Sequence, residues 1–335
     1  MTKFSALAQQ YGTPLYVYDF DVISQKFLAL KEVFKARKSL ICFALKANSN
    51  LSVLKHMADL GVVARISIRV NPNIDPKTHP YISTGLHENK FGVDVESAKR
   101  MYLYAKNVSS LDPVGIHFHI GSQITDVTPF KEAAVVLANL VRSLKALNVD
   151  IKFFDVGGGI GIRYNDEETI ALYDYAQAIF SAMSGLDVTL VCEPGRYLVG
   201  DCGFFLTRVL YEKQNGHKRF VIIDGAMNDL IRPSLYQAYH EIEAEGKSKE
   251  HTSLCDVVGP ICESGDFFAK NIALPPLEHD DLLIVKSAGA YGFAMSSNYN
   301  SRARVAEVAL EQGEGRLIRR RESFEDMIAL EEAYM

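Results

Sequence analysis

The sequence lacks both a long apolar run and a strong excess of charge. No apolar stretch reaches the roughly 18 residues that a membrane-spanning helix needs. The formal net charge is −5 over 335 residues, and no basic run stands out apart from "RLIRRR" near the C-terminus. Because nucleic-acid surfaces need clustered lysine and arginine, we expect neither a membrane nor a nucleic acid among the partners.

Cysteine is scarce, and its spacing is uninformative for metal or disulfide chemistry. The five cysteines include no CxxC pair and are odd in number, which favours a reduced protein. The opening residues "MTKFSALAQQYGTPLYVYD" lack the continuous apolar core of a signal peptide. Together these features predict a cytoplasmic location.

The sequence does contain a repeated alternation of short apolar strands and helices. A first strand, "ICFAL", covers residues 41–45. Further strands are predicted at 64–70, 115–120, 151–156 and 188–193, and helices at 94–106, 129–147 and 167–184. Strands that alternate with helices form parallel sheets. The pattern predicts an α/β barrel of the TIM type.

Beyond about residue 204 the pattern changes to short strands joined by turn signals. Helices are predicted there only at 235–244 and 323–331. We therefore predict a C-terminal, mostly antiparallel β domain of sandwich or barrel type. The expected domains are the barrel, 21–203, and a β domain made of 1–20 and 204–335.

Polar residues follow the predicted barrel strands, where barrel enzymes carry their active sites. Lys46 ends the first strand. An amine at this place can form a Schiff base with a carbonyl group. Alternatively, it reaches the surface as an ordinary lysine at a strand end. The stretch by itself leaves both alternatives open.

Two further strands end in "DVGGGIG" (155–161) and "CEPGRYL" (192–198). Consecutive glycines let backbone N–H groups approach an anion, although a structural tight turn is an equal alternative. Burying Glu193 unpaired would be expensive, so it is expected to need a cationic or protonated partner. Arg196 can anchor a carboxylate or phosphate, or pair with the glutamate at a helix end.

The stretch "GIHFHIGSQ" (115–123) places His117 and His119 on one face of a predicted strand. No acidic ligand lies at the expected spacing, so we predict no metal site. His119 could stack on a flat cofactor. His117 could equally be a satisfied core histidine.

Three later motifs carry possible chemistry. Arg232 and Tyr236 lie four residues apart, and so share a face if their segment is helical. "PICESGD" (260–266) sets an acid beside a thiol, and small residues surround Tyr291. Each motif is also compatible with an ordinary surface loop.

The motifs occur together in a specific order. They include "FALKANSN", "HFHIGSQ", "DVGGGIGI", "EPGRYLV", "MNDLIRPSLYQAYH", "GPICESGDFFAK" and "GAYGFAMSSNYNSR". In this order they resemble the diaminopimelate decarboxylases, which are fold-type III pyridoxal-phosphate enzymes related to ornithine decarboxylase and alanine racemase. The resemblance covers nearly the whole chain.

The resemblance implies a pyridoxal 5′-phosphate site. In it, Lys46 holds the cofactor as a Schiff base, His119 stacks on its ring, and Glu193 faces the pyridine nitrogen. The remaining implied cofactor-binding residues are Ser122, Gly157, Gly158, Gly159, Gly195, Arg196 and Tyr291.

The resemblance also implies the substrate and the assembly. Arg232 and Tyr236, with Arg196, would bind the distal carboxylate of meso-2,6-diaminopimelate, and Glu263 would accept its ammonium. Tyr291 would touch the cofactor or the substrate. Cys262 would donate a proton, with Glu263 beside it, across a homodimer with shared active sites.

The implied function is decarboxylation of diaminopimelate, an amino acid, to L-lysine and CO₂. Alternatives are a related decarboxylase for carboxynorspermidine or ornithine, and a non-catalytic paralogue with a decayed barrel. Only 18 residues separate Lys46 from "RISIRVNP", where the family has about three more strand–helix units. We therefore expect a barrel that is shortened near residues 61–64.

Overall fold

The structure, a computed structural model, describes most of the chain. The described residues are 20–33, 50–61, 63–76, 78, 82–85, 90–248, 250–311 and 314–334. Lys46 and the strand predicted at 41–45 lie outside them. None of the helices in these ranges is long and apolar enough to cross a membrane.

The first part of the chain builds a parallel sheet with helices between its strands. Its elements are α1 (Phe20–Val33), α2 (Leu51–Asp59), β1 (Ala64–Arg69), α3 (Val95–Lys106), β2 (Leu111–His117), α4 (Thr128–Ala146), β3 (Phe153–Asp155), α5 (Leu172–Ala182), β4 (Thr189–Val191) and α6 (Arg196–Val199). The four strands lie in the order β1-β2-β3-β4, and every pair is parallel.

Local chemistry explains where these helices begin. The Asp94 carboxylate accepts a hydrogen bond from the Ser97 N–H, which caps α3. α4 has Pro129 in its first turn, where the missing N–H costs no helical bond. The apolar side of α4, including Phe130 and Leu137, is fully buried in the core beside the sheet.

The second part of the chain is a β domain. It contains β5 (Phe205–Asn215), β6 (Lys218–Ile223), α7 (Arg232–Tyr236), β7 (Ile242–Ala244), β8 (Ser253–Val258), β9 (Phe267–Leu274), β10 (Leu282–Val285), β11 (Glu307–Glu311), β12 (Glu314–Arg319) and α8 (Phe324–Ile328). Six strands form one sheet in the order β7-β10-β5-β6-β8-β9, and β11 and β12 form a hairpin. Within the six-stranded sheet only the β6–β8 pair is parallel. This domain has its own apolar core, which includes Val209, Val257 and Leu283.

Two predicted elements differ from the structure. The helix predicted at 235–244 is wrong, because α7 ends at Tyr236 and Gln237 adopts a left-handed backbone with φ 52°. The following β7 instead pairs with β10. The strand predicted at 115–120 begins earlier and ends at His117. His119 therefore lies beyond the strand, and the two histidines do not share a strand face.

The connection between α2 and β1 is short. α2 ends at Asp59 and β1 begins at Ala64. Among the described strands, β1 pairs only with β2. The chain thus runs from α2 into β1 without an intervening strand–helix unit, where we expected the shortening.

Candidate active site

The carboxyl ends of the parallel strands bring charged side chains together. His117 ends β2, Asp155 ends β3, and Glu193 lies two residues beyond β4. One ring nitrogen or carboxylate oxygen from each of the three side chains lies within 4.8 Å of the others. His117 Nε2 is 3.4 Å from a Glu193 carboxylate oxygen. The spacing along one strand could not show this cluster, because each residue comes from a different strand.

Glu193 is not buried in this structure. Its side chain is 56% exposed, because it projects from the open end of the sheet. The desolvation cost that required a cationic partner is therefore largely absent in this chain. An exposed carboxylate at this edge remains available to a bound group.

His119 is held by the loops around it. The Gly158 N–H donates to His119 Nδ1 at 3.1 Å, so the neutral ring carries its proton on Nε2. The His119 carbonyl accepts hydrogen bonds from Arg69 and from Thr84. Burial, with smaller effects from Arg69 and His117, lowers the pKa of His119 to about 4. The imidazole is therefore neutral at pH 7.

The glycine run is required by close packing between loops. Gly157 has φ +66°, and a Cβ there would lie 2.5 Å from the Phe118 carbonyl oxygen. A Cβ on Gly158 would collide with the Glu193 carbonyl oxygen, and Gly159 has φ +113°. No other residue type fits these positions without distortion. The run forms a narrow backbone cradle beside His119.

Arg196 lies next to this cradle, at the start of α6, and is only 6% exposed. Its guanidinium donates to the Ser122 hydroxyl at 3.1 Å and to the Tyr164 hydroxyl at 2.5 Å. It also lies 5.0 Å from the centre of the Tyr291 ring. A Cβ on Gly195 would lie 3.8 Å from the Tyr291 hydroxyl. The structure thus brings Ser122, Gly195, Arg196 and Tyr291 together.

Arg232 is a second buried arginine, 5% exposed, on the short helix α7. It lies over the Tyr164 ring at 4.7 Å and donates to His240 at 3.0 Å. Its Nε is buried without a hydrogen-bond partner in the part of the chain that the structure describes. We name Arg196, Arg232, Tyr164 and His240 the cation pocket.

The cation pocket faces a cavity of about 180 Å³. Its walls also include Thr78, Ile82, Gln123, Glu167, Tyr236, Ala238 and Tyr239. Over the described ranges, neither guanidinium forms an ion pair with a carboxylate. A larger groove of about 580 Å³ runs along residues 241–248 but carries none of the predicted site residues. Chemistry rather than size therefore identifies the candidate site.

Cys262 and Glu263 lie on a loop that we name the thiol loop, residues 259–266. Both side chains are exposed, and the Tyr299 hydroxyl donates to Glu263 at 3.2 Å. The buried Asp266 fixes the loop, because its carboxylate accepts the N–H groups of Ile261 and Met227. In the described part of the chain, no hydrogen bond or ion pair joins Cys262 or Glu263 to the cation pocket.

Sequence reasoning missed four residues of this site. Tyr164 and His240 complete the cation pocket, and Arg69 and Asp155 line the strand ends. Asp155 is part of the quoted "DVGGGIG" motif, and His240 ends "RPSLYQAYH". For Asp155 and His240, the position within a motif was the available signal. Their contacts depend on the fold.

The fit to pyridoxal phosphate rests on three observations. The glycine cradle has no room for side chains, as a phosphate-binding backbone requires. Arg196 and Ser122 offer donors beside it. The exposed Glu193 carboxylate lies at the strand ends, 3.4 Å from His117 Nε2, and can face a ring nitrogen. The residues present therefore fit the group.

Comparison with known proteins agrees with this geometry. Residues 63–200 match the family model for the pyridoxal-dependent decarboxylase, pyridoxal binding domain. The chain is 52% identical over 399 aligned residues to the diaminopimelate decarboxylase of Campylobacter jejuni, with 99% of both chains covered. The chain belongs to the diaminopimelate decarboxylase family.

Solved structures of the diaminopimelate decarboxylase family share the fold. A Helicobacter pylori member, complexed with L-lysine, matches with a TM-score of 0.81 and 47% identity, over 99% of this chain and 100% of that one. A member from "m. jannaschii" matches with a TM-score of 0.77 and 32% identity, over 97% of this chain and 93% of that one. The predicted α/β barrel with a β domain is confirmed, as is the pyridoxal-phosphate cofactor.

The lengths show how this chain differs from its family. The alignment to the Campylobacter jejuni enzyme spans 399 positions, which is 64 more than the 335 residues of this chain. Since one βαβ unit takes roughly 30 residues, the difference has the size of whole barrel units. The family-model match begins at residue 63, next to the predicted shortening at 61–64.

Proposed function

We propose that this chain decarboxylates meso-2,6-diaminopimelate to L-lysine and CO₂ with pyridoxal 5′-phosphate. The observation that carries the substrate assignment is the cation pocket. Two buried guanidiniums line one cavity, and among the described residues neither forms an ion pair with a carboxylate. Buried arginines need an anion, and diaminopimelate brings a second carboxylate that ornithine lacks.

Bound pyridoxal phosphate supplies an electron sink that makes loss of CO₂ from an amino acid possible. Lys46 would provide the anchoring amine. The cradle Gly157, Gly158 and Gly159, with Ser122, Gly195, Arg196 and Tyr291, would hold the phosphate. His119 would lie against the ring, and Glu193 would keep the pyridine nitrogen protonated. The neutral state of His119 supports stacking, because it adds no positive charge near that nitrogen.

Arg232 and Tyr236 would bind the distal carboxylate together with Arg196. A guanidinium binds a carboxylate through paired N–H donors. The Nε of Arg232, which has no hydrogen-bond partner among the described residues, is such a donor. Glu263 would accept the distal ammonium. These contacts would discriminate strongly against a substrate without the distal carboxylate, since the buried donors would stay unpaired.

Cys262 would donate the proton that replaces CO₂, from the partner subunit of a homodimer. The exposure of Cys262 and Glu263 supports this arrangement, because a proton donor must be enclosed during catalysis. The loop backbone is already fixed by Asp266. Docking of a second subunit would then deliver both side chains without refolding.

We also propose that the protein works in the cytoplasm. The four described cysteines, Cys192, Cys202, Cys255 and Cys262, are free thiols. Free thiols on an exposed surface suit a reducing compartment. Cell fractionation of the source organism, with the protein traced by antibody, tests the location.

Release of CO₂ from three substrates tests the function. We expect turnover of diaminopimelate, and little or none of ornithine or carboxynorspermidine. Arg232→Ala should raise KM for diaminopimelate by about tenfold or more, since a hydrogen-bonded ion pair is lost. Equal turnover of ornithine would favour the related decarboxylase. A purified protein that stays colourless after addition of the cofactor would favour the non-catalytic paralogue.

A further inference from the structure

His240 is the most deeply buried histidine of the candidate site, at 2% exposure. Its Nδ1 lies 2.8 Å from the carbonyl oxygen of Lys286, and its Nε2 lies 3.0 Å from Nη1 of Arg232. A carbonyl oxygen only accepts and a guanidinium only donates. Nδ1 must therefore carry the proton, and Nε2 accepts from Arg232. Both contacts together fix one neutral tautomer.

The surroundings keep this ring neutral. Burial is the main cause that lowers the pKa of His240 to about 4. The hydrogen bond to the Lys286 carbonyl raises this pKa, whereas the Arg232 and Arg196 cations lower it further. A protonated ring would turn its Nε2–H toward the Arg232 guanidinium and lose the hydrogen bond. The neutral form is thus the one that can hold Arg232 at pH 7.

Tyr164 contacts Arg232 from another side. The Arg232 guanidinium lies 4.7 Å from the centre of the Tyr164 ring, and that ring meets His240 edge-to-face at 5.5 Å. The Tyr164 hydroxyl is occupied by Arg196. His240 and Tyr164 therefore set the orientation of Arg232, while its buried Nε has no hydrogen-bond partner within the described ranges.

We propose that His240 is a positioning residue, whose neutral imidazole orients the Arg232 guanidinium to receive the distal carboxylate of the substrate. His240 does not touch the reacting atoms. It acts by restricting the Arg232 side chain to one orientation. Binding of the substrate carboxylate then does not have to order that side chain. This inference rests on the proposed function, because it assigns that carboxylate to Arg232.

Two isosteric variants separate positioning of Arg232 from a merely structural role. His240→Gln places an amide oxygen near the Nε2 position and keeps an acceptor for Arg232. His240→Asn places its amide near the Nδ1 position and keeps only the donor for Lys286. Positioning predicts that KM for diaminopimelate rises by about tenfold in His240→Asn and by less than about threefold in His240→Gln. A structural role through Lys286 predicts the reverse order.

Competitive inhibition provides a readout that does not depend on turnover of the substrate. Lysine keeps the distal carboxylate, whereas 1,5-diaminopentane lacks it. In His240→Asn, the inhibition constant of lysine should rise by about tenfold, while that of 1,5-diaminopentane should stay within about twofold. Thermal unfolding of both variants checks that they fold. An equal rise for both inhibitors would overturn the proposal.

A double-mutant cycle separates this inference from the proposed function. If His240 acts through Arg232, His240→Asn should add less than about twofold to KM in the Arg232→Ala background. A full tenfold effect in that background would overturn the positioning proposal alone. If Arg232→Ala by itself leaves KM unchanged, the carboxylate assignment fails, and the positioning proposal fails with it.

Discussion

The cation pocket and the thiol loop differ in what the single chain provides. Arg196 and Arg232 are 6% and 5% exposed, and their orientation is set by Tyr164 and His240. On the thiol loop, the Asp266 carboxylate fixes the backbone by accepting the Ile261 N–H, but the Cys262 side chain is exposed to solvent. The cation pocket has its side chains oriented and can receive an anion. The thiol loop has its backbone fixed, but its thiol is exposed to solvent.

This difference in burial indicates that the cation pocket suits a small ligand and the thiol loop suits a protein surface. A buried cation pocket has already met the cost of ordering its side chains, so it suits a small ligand that must be bound in one orientation. An exposed thiol on a fixed backbone suits a protein surface, which can enclose it by docking.

The largest effect is expected at the thiol loop. Cys262→Ala should lower kcat by about 10²- to 10⁴-fold, the usual range for loss of a positioned proton donor. Lysine inhibition should change little, since the cation pocket is intact. Steady-state kinetics with diaminopimelate, and lysine as inhibitor, measure both quantities.

Mixing variants tests whether the site is shared between subunits. Lys46→Ala and Cys262→Ala should each be nearly inactive, but refolded together they should regain about a quarter of the wild-type activity. Half of the dimers are then mixed, and each mixed dimer holds one intact site, as follows from twofold symmetry. A mixture no more active than its parents would place Cys262 and Lys46 in the site of one subunit.

A smaller effect is expected in the glycine cradle beside the cation pocket. Gly158→Ala should lower the free energy of unfolding by about 1–3 kcal/mol, because its Cβ would collide with the Glu193 carbonyl. Gly195→Ala is the matched control, since the nearest group to its Cβ is the Tyr291 hydroxyl at 3.8 Å. Urea unfolding of the two variants compares them. Equal losses would contradict the close packing of the cradle.

The smallest effect concerns pH. The pKa of His240 is about 4 in the folded chain, against an ordinary value of 6.5, so the unfolded chain binds more protons between these values. Its contribution to stability is therefore present above pH 6.5 and is lost as the pH falls toward 4. Between pH 7 and pH 5, His240→Gln should lose about 1–2 kcal/mol less stability than the wild type. Urea unfolding at both pH values measures the difference; identical losses would show that His240 does not titrate in this way.

The barrel elements could be predicted from the sequence because each carries its own signal. Strands β1 and β4 lie within the predicted ranges, and α3 and α4 begin within one residue of prediction. The Asp94 cap and the Pro129 helix start are local features. The family motifs likewise placed Arg196 next to Ser122 and Tyr291 before their contacts were known.

The remaining features depend on contacts between distant segments. The cation pocket joins Tyr164, after the glycine run, to His240, after α7. The exposure of Glu193 depends on where β4 ends in the sheet. The end of α7 depends on the left-handed Gln237 and on pairing of β7 with β10. No local pattern reports these contacts.

Because the barrel is shortened next to Lys46, the attachment of the cofactor to Lys46 is the step most in need of a test. The alignment to the Campylobacter jejuni relative has 64 more positions than this chain has residues, yet the chain keeps the glycine cradle, His119 and the cation pocket. The most direct test is reduction of the protein with borohydride in the presence of pyridoxal phosphate, followed by peptide mass mapping. The account predicts a single pyridoxyl label on Lys46. An unlabelled chain, or a label on another lysine, would contradict it.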